Sequence, residues 1–290
     1  MTTKFSPGQF FSLLRSAVQT IIHHPLILYP FTILFMLQLF IMEILFFAPR
    51  YPLSQFFSPV ISRLAGEQFL HYPLNFMLLN RWFQSIQIPF YLFVSSFFIG
   101  AAVYAIYLIN RDENLNWGKV FKRTLKQYIH LVVAAAISVG FVYILSWLYS
   151  LLVQRALQIR STAGIYFMIK KAVILGAPYA NLLFSTLIIT MFAFVIPIIM
   201  IEGKKVFSAF AQNFKVLGGV FWMLFLAMLA SGLFYLPVLL LRSNAEWGRS
   251  VFSPEMWQIL MIAGVALMLV IDAVQYTAIT MTYLLKKDAE

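Results

Sequence analysis

Asp272 is the residue whose setting most suggests chemistry. It lies near the middle of an apolar run from Met256 to Leu285, and Tyr276, Thr280 and Tyr283 follow it at helical spacing. An ionisable group in hydrocarbon costs about 2.5–3.5 kcal/mol at a helix centre, so such groups mark functional positions by default. This stripe could relay a proton or hold a substrate. Equally, the aspartate could be neutral and hydrogen-bonded to a neighbouring helix; one span alone does not choose. Glu43 is the other acid inside an apolar run, Pro25 to Pro49. At 1.5 Å per residue, Glu43 lies about 9 Å from its end of the span and Asp272 about 24 Å from Met256. The two belong to different depths and form no dyad. Glu43 is expected to reach toward Arg50 or another outer base as a snorkelled ion pair.

Other chemistries lack their residues. There are no cysteines among the 290 residues, so disulfides, thiolate metal sites and cysteine nucleophiles are excluded. His23 and His24 are adjacent and point to different helix faces, whereas ligands on one helix need three or four residues between them. His71 and His130 are expected on opposite sides of the membrane. No glycine-flanked serine, glycine-rich phosphate loop or paired-histidine helix motif is present. Nothing in the sequence argues for an enzyme, and no cofactor and no metal are expected.

The elements that must position Asp272 are membrane helices. The chain is 62% hydrophobic and 11% charged, with mean hydropathy +0.85, against about 25% charged in soluble domains. Spans are expected near 25–49, 82–110, 127–154, 172–201, 216–241 and 256–285, each longer than the roughly 20 residues that cross a hydrocarbon core. Backbone groups in lipid must pair internally, and the alternation of a β-barrel is absent, so the class is all-α. One integral membrane domain, a polytopic bundle of about six helices, accounts for residues 1–290. Arg15, His23 and His24 interrupt the N-terminal apolar pattern, which argues against a cleaved signal peptide.

The net charge of +11 arises from 21 Lys+Arg against 10 Asp+Glu. The bases flank spans, so anionic lipid headgroups are the expected partner and nucleic acid is not. Lysines concentrate on the side that holds both termini, which makes that side cytoplasmic.

Three segments repeat a pattern. Gln9 to Arg15, Lys119 to Leu125 and Lys205 to Ala211 each combine phenylalanines with bases and lead into an apolar run. Residues 1–24 are expected as an amphipathic interfacial helix, capped by Ser6-Pro7, with Phe10, Leu14, Ala17 and Ile21 on its apolar face. The second segment groups Phe121, Leu125 and Tyr128, and the third groups Phe207, Phe210, Ala211 and Phe214. Helices of this type lie in the headgroup plane. Three helix-plus-hairpin units follow if the repetition is structural. Arg15, Lys119, Lys122, Arg123, Lys126, Lys204 and Lys205 are the candidate contacts for headgroups or a cytoplasmic partner.

Small residues suggest helix contacts: Ser96-xxx-Gly100 and Ala101-xxx-Ala105 in the second span, Ala134-xxx-Ser138 and Ala136-xxx-Gly140 in the third, Ala227-xxx-Ser231 in the fifth. The second and third spans are expected to touch. Pro197 and Pro237 are expected to kink their helices.

Val195-Ile196-Pro197-Ile198-Ile199-Met200-Ile201-Glu202-Gly203, then Phe207-Ser208-Ala209 and Leu217-Gly218-Gly219-Val220-Phe221-Trp222, form one distinctive patch. His24-Pro25-Leu26-Ile27-Leu28-Tyr29-Pro30 forms another. Together they resemble six-helix bacterial inner-membrane proteins related to the membrane domain of glycerophosphodiester phosphodiesterases. The catalytic domain of those enzymes has no counterpart here, so the resemblance implies an inner-membrane location and no hydrolase activity. It also implies that Glu202 fixes a turn.

Two functions fit these observations. The first is a non-enzymatic integral subunit or scaffold of a bacterial inner-membrane assembly, with lipids and protein partners. The alternative is a transporter or lipid-handling permease that uses Asp272 and its polar stripe.

Overall fold

The computed structural model describes residues 8–72, 74–159, 164–243 and 251–288. Ser6 and Pro7, expected to start the first helix, lie outside them. Among the described residues the chain is helical and has no strand. The helices are α1 (Gly8–His23), α2 (Tyr29–Phe47), α3 (Ser54–Leu64), α4 (Asn75–Phe90), α5 (Ser96–Asn110), α6 (Trp117–Leu157) and α7 (Gly164–Leu175). They continue with α8 (Ala177–Met191), α9 (Val195–Pro197), α10 (Val206–Leu217), α11 (Phe221–Leu233), α12 (Leu236–Ser243) and α13 (Pro254–Lys287). Five stretches are long and apolar enough to cross a membrane: Pro25–Phe47, Trp82–Asn110, Trp117–Leu157, Ala177–Glu202 and Glu255–Lys287. The chain is thus an all-α, multi-pass membrane bundle.

The expected span over 216–241 is not one helix. Gly219 takes φ +81° in the turn between α10 and α11, and the two helices meet at 101°. At the other end, Pro237 has no N–H to offer the Leu233 carbonyl, and α11 stops at Leu233. Thirteen residues rise only about 20 Å, short of the roughly 30 Å core. A sixth crossing exists only if the bent pair α10–α11 is counted as one.

The repeated segments also diverge. α1 and α10 are separate helices, but the second segment is the first turns of α6, a single helix of 41 residues. At 1.5 Å per residue α6 is about 60 Å long and projects beyond the apolar layer. Its inward face is Val120, Thr124, Gln127 and Leu131; Leu125, expected on the apolar face, is 67% exposed. Phe121 instead joins Trp117, Phe97 and Phe98 in a ring cluster. α1 buries Leu13 and Ala17, with Phe10, Leu14 and Ile21 against the main core, and packs on α11 and α13. Its apolar face therefore meets protein. In α10 the buried positions are Val206, Ala209, Asn213, Val216 and Leu217, which leaves Phe207 75% exposed.

α5 and α6 pack together as expected. A Cβ on Gly100 would lie 2.5 Å from Leu131 Cδ1, so a larger residue there would force the buried Leu131 side chain to shift. Ala101 and Ala105 are fully buried. The Ala136–Gly140 pair plays no such part: Ala136 is exposed, and nothing lies within 4 Å of a Cβ on Gly140.

Helix irregularities recur, each with a repair. Pro89 lies near the end of α4, and the next turn widens into a π-helical segment, Tyr91–Ser95. Within it, the Phe93 carbonyl accepts a hydrogen bond from the Tyr128 hydroxyl at 2.8 Å. The fourth span breaks at Phe192–Phe194, just before Pro197. There Asn213, fully buried, donates to the Met191 carbonyl at 2.8 Å and accepts from the Phe194 N–H at 2.9 Å. A second π-helical segment, Ile198–Glu202, ends on Gly203 at φ +72°. Its Met200 carbonyl accepts from Arg123 Nε at 3.2 Å.

Replacing Asn213 by Leu, of similar size, leaves a backbone donor and acceptor unpaired in the core. The expected cost is about 1–3 kcal/mol for each group, read as a fall in the thermal midpoint of the detergent-solubilised protein.

Candidate functional site

The last helix carries the site. Ser253 caps α13, its hydroxyl accepting from the Met256 N–H at 3.3 Å, and Pro254 occupies the first turn where its missing N–H costs nothing. Gly264, Val265, Met268, Leu269, Asp272, Gln275 and Tyr276 recur at helical spacing and form one wall of a cavity of about 430 Å³. That volume falls within the roughly 300–1,000 Å³ of small-molecule sites.

Four other elements close the cavity. α2 presents Phe31, Leu34, Phe35 and Gln38; α4 presents Phe83 and Gln87, followed by Tyr91 and Ser95 from the π-helical segment. α6 contributes Ser138, Val139 and Val142, and α8 contributes Ser185, Ile188 and Ile189. Tyr235 enters from the break between α11 and α12. The walls are aliphatic and aromatic, with hydroxyls and amides placed among them.

The polar groups differ in how far they are committed. Gln275 is tied to α11, its Nε2 donating to Ser231 Oγ at 2.9 Å and to the Met228 carbonyl at 3.2 Å. The Ser138 hydroxyl donates to the Ala134 carbonyl at 3.0 Å. Tyr91 and Tyr276 lie close to one another and to Asp272. Asp272 itself makes no hydrogen bond or ion pair with any described residue. Among the described residues that line the cavity it is the only acid, and none is basic.

The expected stripe is therefore split. Asp272 and Tyr276 line the cavity. Thr280 is buried, and its hydroxyl donates to the Tyr276 carbonyl one turn back at 2.7 Å. Tyr283 is buried too and donates its hydroxyl to Glu202. Glu43 stands apart, exposed on α2 in line with Met36, Phe40 and Phe47. The expected Glu43–Arg50 pair does not form: the Arg50 guanidinium lies over the Phe46 ring, 4.6 Å from its centroid. Gln38, Gln87, Ser138, Ser185, Tyr91 and Tyr235 were not singled out from sequence. Gln275, one turn from Asp272 in an apolar run, was the one signal available.

A second constellation closes one end of the bundle. The Glu202 carboxylate accepts from Tyr283, from Gln212 Nε2 at 3.3 Å, and pairs with Lys204 at 2.9 Å and Lys287 at 3.4 Å. Arg111 pairs with Asp288 at the same helix terminus, and Lys286 donates to the Gly218 carbonyl at 3.4 Å. The seven basic candidates thus have different roles. Arg123 and Lys204 are spent on the fold, whereas Arg15, Lys119, Lys122, Lys126 and Lys205 are exposed. Glu202 does hold the turn, through partners on α10 and α13 as well as its own neighbour.

These two carboxylates should answer oppositely to amidation. Glu202→Gln removes the acceptor for two lysines and is expected to cost about 1–3 kcal/mol. Asp272→Asn removes a group with no cation beside it, so stability should stay level or rise. Thermal unfolding of both variants in one detergent checks the contrast.

Compared with protein-family models, curated proteins and solved structures, the chain gives no match. Function is read from the chemistry of the cavity.

Proposed function

We propose that this chain is a membrane permease that holds a small, partly apolar molecule in the cavity beside Asp272. The cavity carries the reading: five helical elements leave about 430 Å³ open beside cores of large aliphatic and aromatic side chains. A carboxyl group without a protein partner is costly to keep in such a place, and a bound substrate offsets that cost. The break between α11 and α12 borders the same space through Tyr235, and discontinuous helices at a binding site are a common construction in transporters. No nucleotide-binding motif is present in the sequence, so an ion gradient or a partner supplies the energy.

The location proposed with it is a bacterial inner membrane, basic end inward. Lys286 and Lys287 of α13, Lys204, and the exposed Lys119, Lys122, Lys126 and Lys205 all belong to the end that carries Glu202, which supports a cytoplasmic C-terminus. Those exposed lysines also favour a second reading, a scaffold subunit whose projecting α6 and α10 meet headgroups or a protein partner.

Native mass spectrometry after extraction from the membrane separates the two. The permease reading expects a small molecule retained by the wild type and lost from Ser138→Phe, whose ring fills the cavity while the protein stays monodisperse. Stoichiometric protein partners with no small-molecule adduct in either form would transfer the case to the scaffold.

A further inference from the structure

The chemistry of the cavity narrows what it takes. Resting on the permease reading, we infer that the ligand is an organic cation, an ammonium group on an apolar body, with Asp272 as its counter-ion.

Charge gives the first argument. Among the described residues lining the cavity there is one carboxyl group and no lysine, arginine or histidine. An anionic ligand would meet only repulsion from Asp272 and no compensating base. A neutral apolar ligand would leave the carboxyl group without a partner. A cation gains a charge-assisted hydrogen bond or ion pair at low local dielectric, where the interaction is strongest.

The aromatic lining gives the second. Tyr91 and Tyr276 line the same cavity as Asp272, and ring faces attract an ammonium group by about 0.5–2 kcal/mol. Both rings come from irregular or packed positions that fix them: Tyr91 opens the π-helical segment braced by Tyr128, and Tyr276 is buried in the main core.

Size excludes an inorganic ion. A metal cation asks for about six converging oxygens, while a water molecule's share of volume is only about 30 Å³. The cavity is many times larger, and Phe31, Leu34, Phe35, Phe83 and Val265 are among its walls. Those residues suit a hydrocarbon body attached to the charge. Gln275, the amide nearest in sequence to Asp272, is already committed to α11.

The test uses three probes of similar outline and different charge: benzyltrimethylammonium, neopentylbenzene and benzylsulfonate. Each is added to the full chain in lipid nanodiscs, and the rise in unfolding temperature is titrated. Wild type is compared with Asp272→Asn, Asp272→Glu and Ser138→Phe, so that partition of a probe into lipid cancels between proteins. The expected result is that benzyltrimethylammonium stabilises the wild type best. Asp272→Asn should weaken it tenfold or more, Asp272→Glu should largely restore it, and Ser138→Phe should abolish it. The neutral probe should bind Asp272→Asn at least as well as wild type.

If the neutral and cationic probes bind alike and Asp272→Asn changes neither, or if the sulfonate binds best, the cation inference fails while the cavity remains a binding site. If no probe stabilises the wild type beyond Ser138→Phe, the permease reading fails with it. Should Asp272→Asn not fold, the ranking of the three probes on the wild type, each against Ser138→Phe, decides the same question.

Discussion

Inside hydrocarbon a backbone N–H or C=O has no water to fall back on, and this constraint governs how the bundle can be irregular. The spans are not ideal rods: one widens after Pro89, one breaks before Pro197 and then widens again. Each fault frees backbone groups, and a polar side chain from a neighbouring helix takes them up. Tyr128 serves Phe93, Arg123 serves Met200, and Asn213 serves both Met191 and Phe194. Two of the three donors lie on α6. That helix runs unbroken for 41 residues and acts as the frame against which the other spans depart from regularity.

Those departures are what make room. A regular bundle of helices this apolar would close on itself with ridges in grooves. Here the widened turn delivers Tyr91 and Ser95 to the cavity, and the end of α11 delivers Tyr235. The polar side chains that repair the faults are spent and do not reach the cavity; those that line it are of a different set. Gln275 does both, lining the cavity while tied to α11, whereas Asp272 belongs wholly to the cavity.

Much of this was legible in the sequence. Long charge-free runs give the spans because a hydrocarbon core admits little else, and Ser96, Gly100, Ala101 and Ala105 announce the α5–α6 contact because only small residues allow it. Asp272 stood out for its cost. The run over 216–241 misled, since hydropathy is blind to Gly218-Gly219 and Pro237, which end helices without making them less apolar. The stripe through Tyr283 misled in part, because helical spacing fixes a direction and says nothing of what lies there. Beyond Tyr276 the same face of α13 leaves the cavity and enters the Glu202 cluster. Gln38, Gln87, Ser138 and Ser185 come from four separate stretches, and no spacing within one stretch signals their convergence.

The position of Glu43 carries a consequence for the bilayer itself. It is exposed on the outward stripe of α2, in register with Met36, Phe40 and Phe47 and one turn before the helix ends. Hydrocarbon can therefore cover that stripe only up to about 6 Å short of the helix terminus. Lipid beside α2 must thin, or the helix must tilt, to keep the carboxylate at the headgroup boundary. Where the lipid thins rather than the helix tilting, hydrophobic thickness is pinched at α2, and one residue sets a local preference for shorter acyl chains.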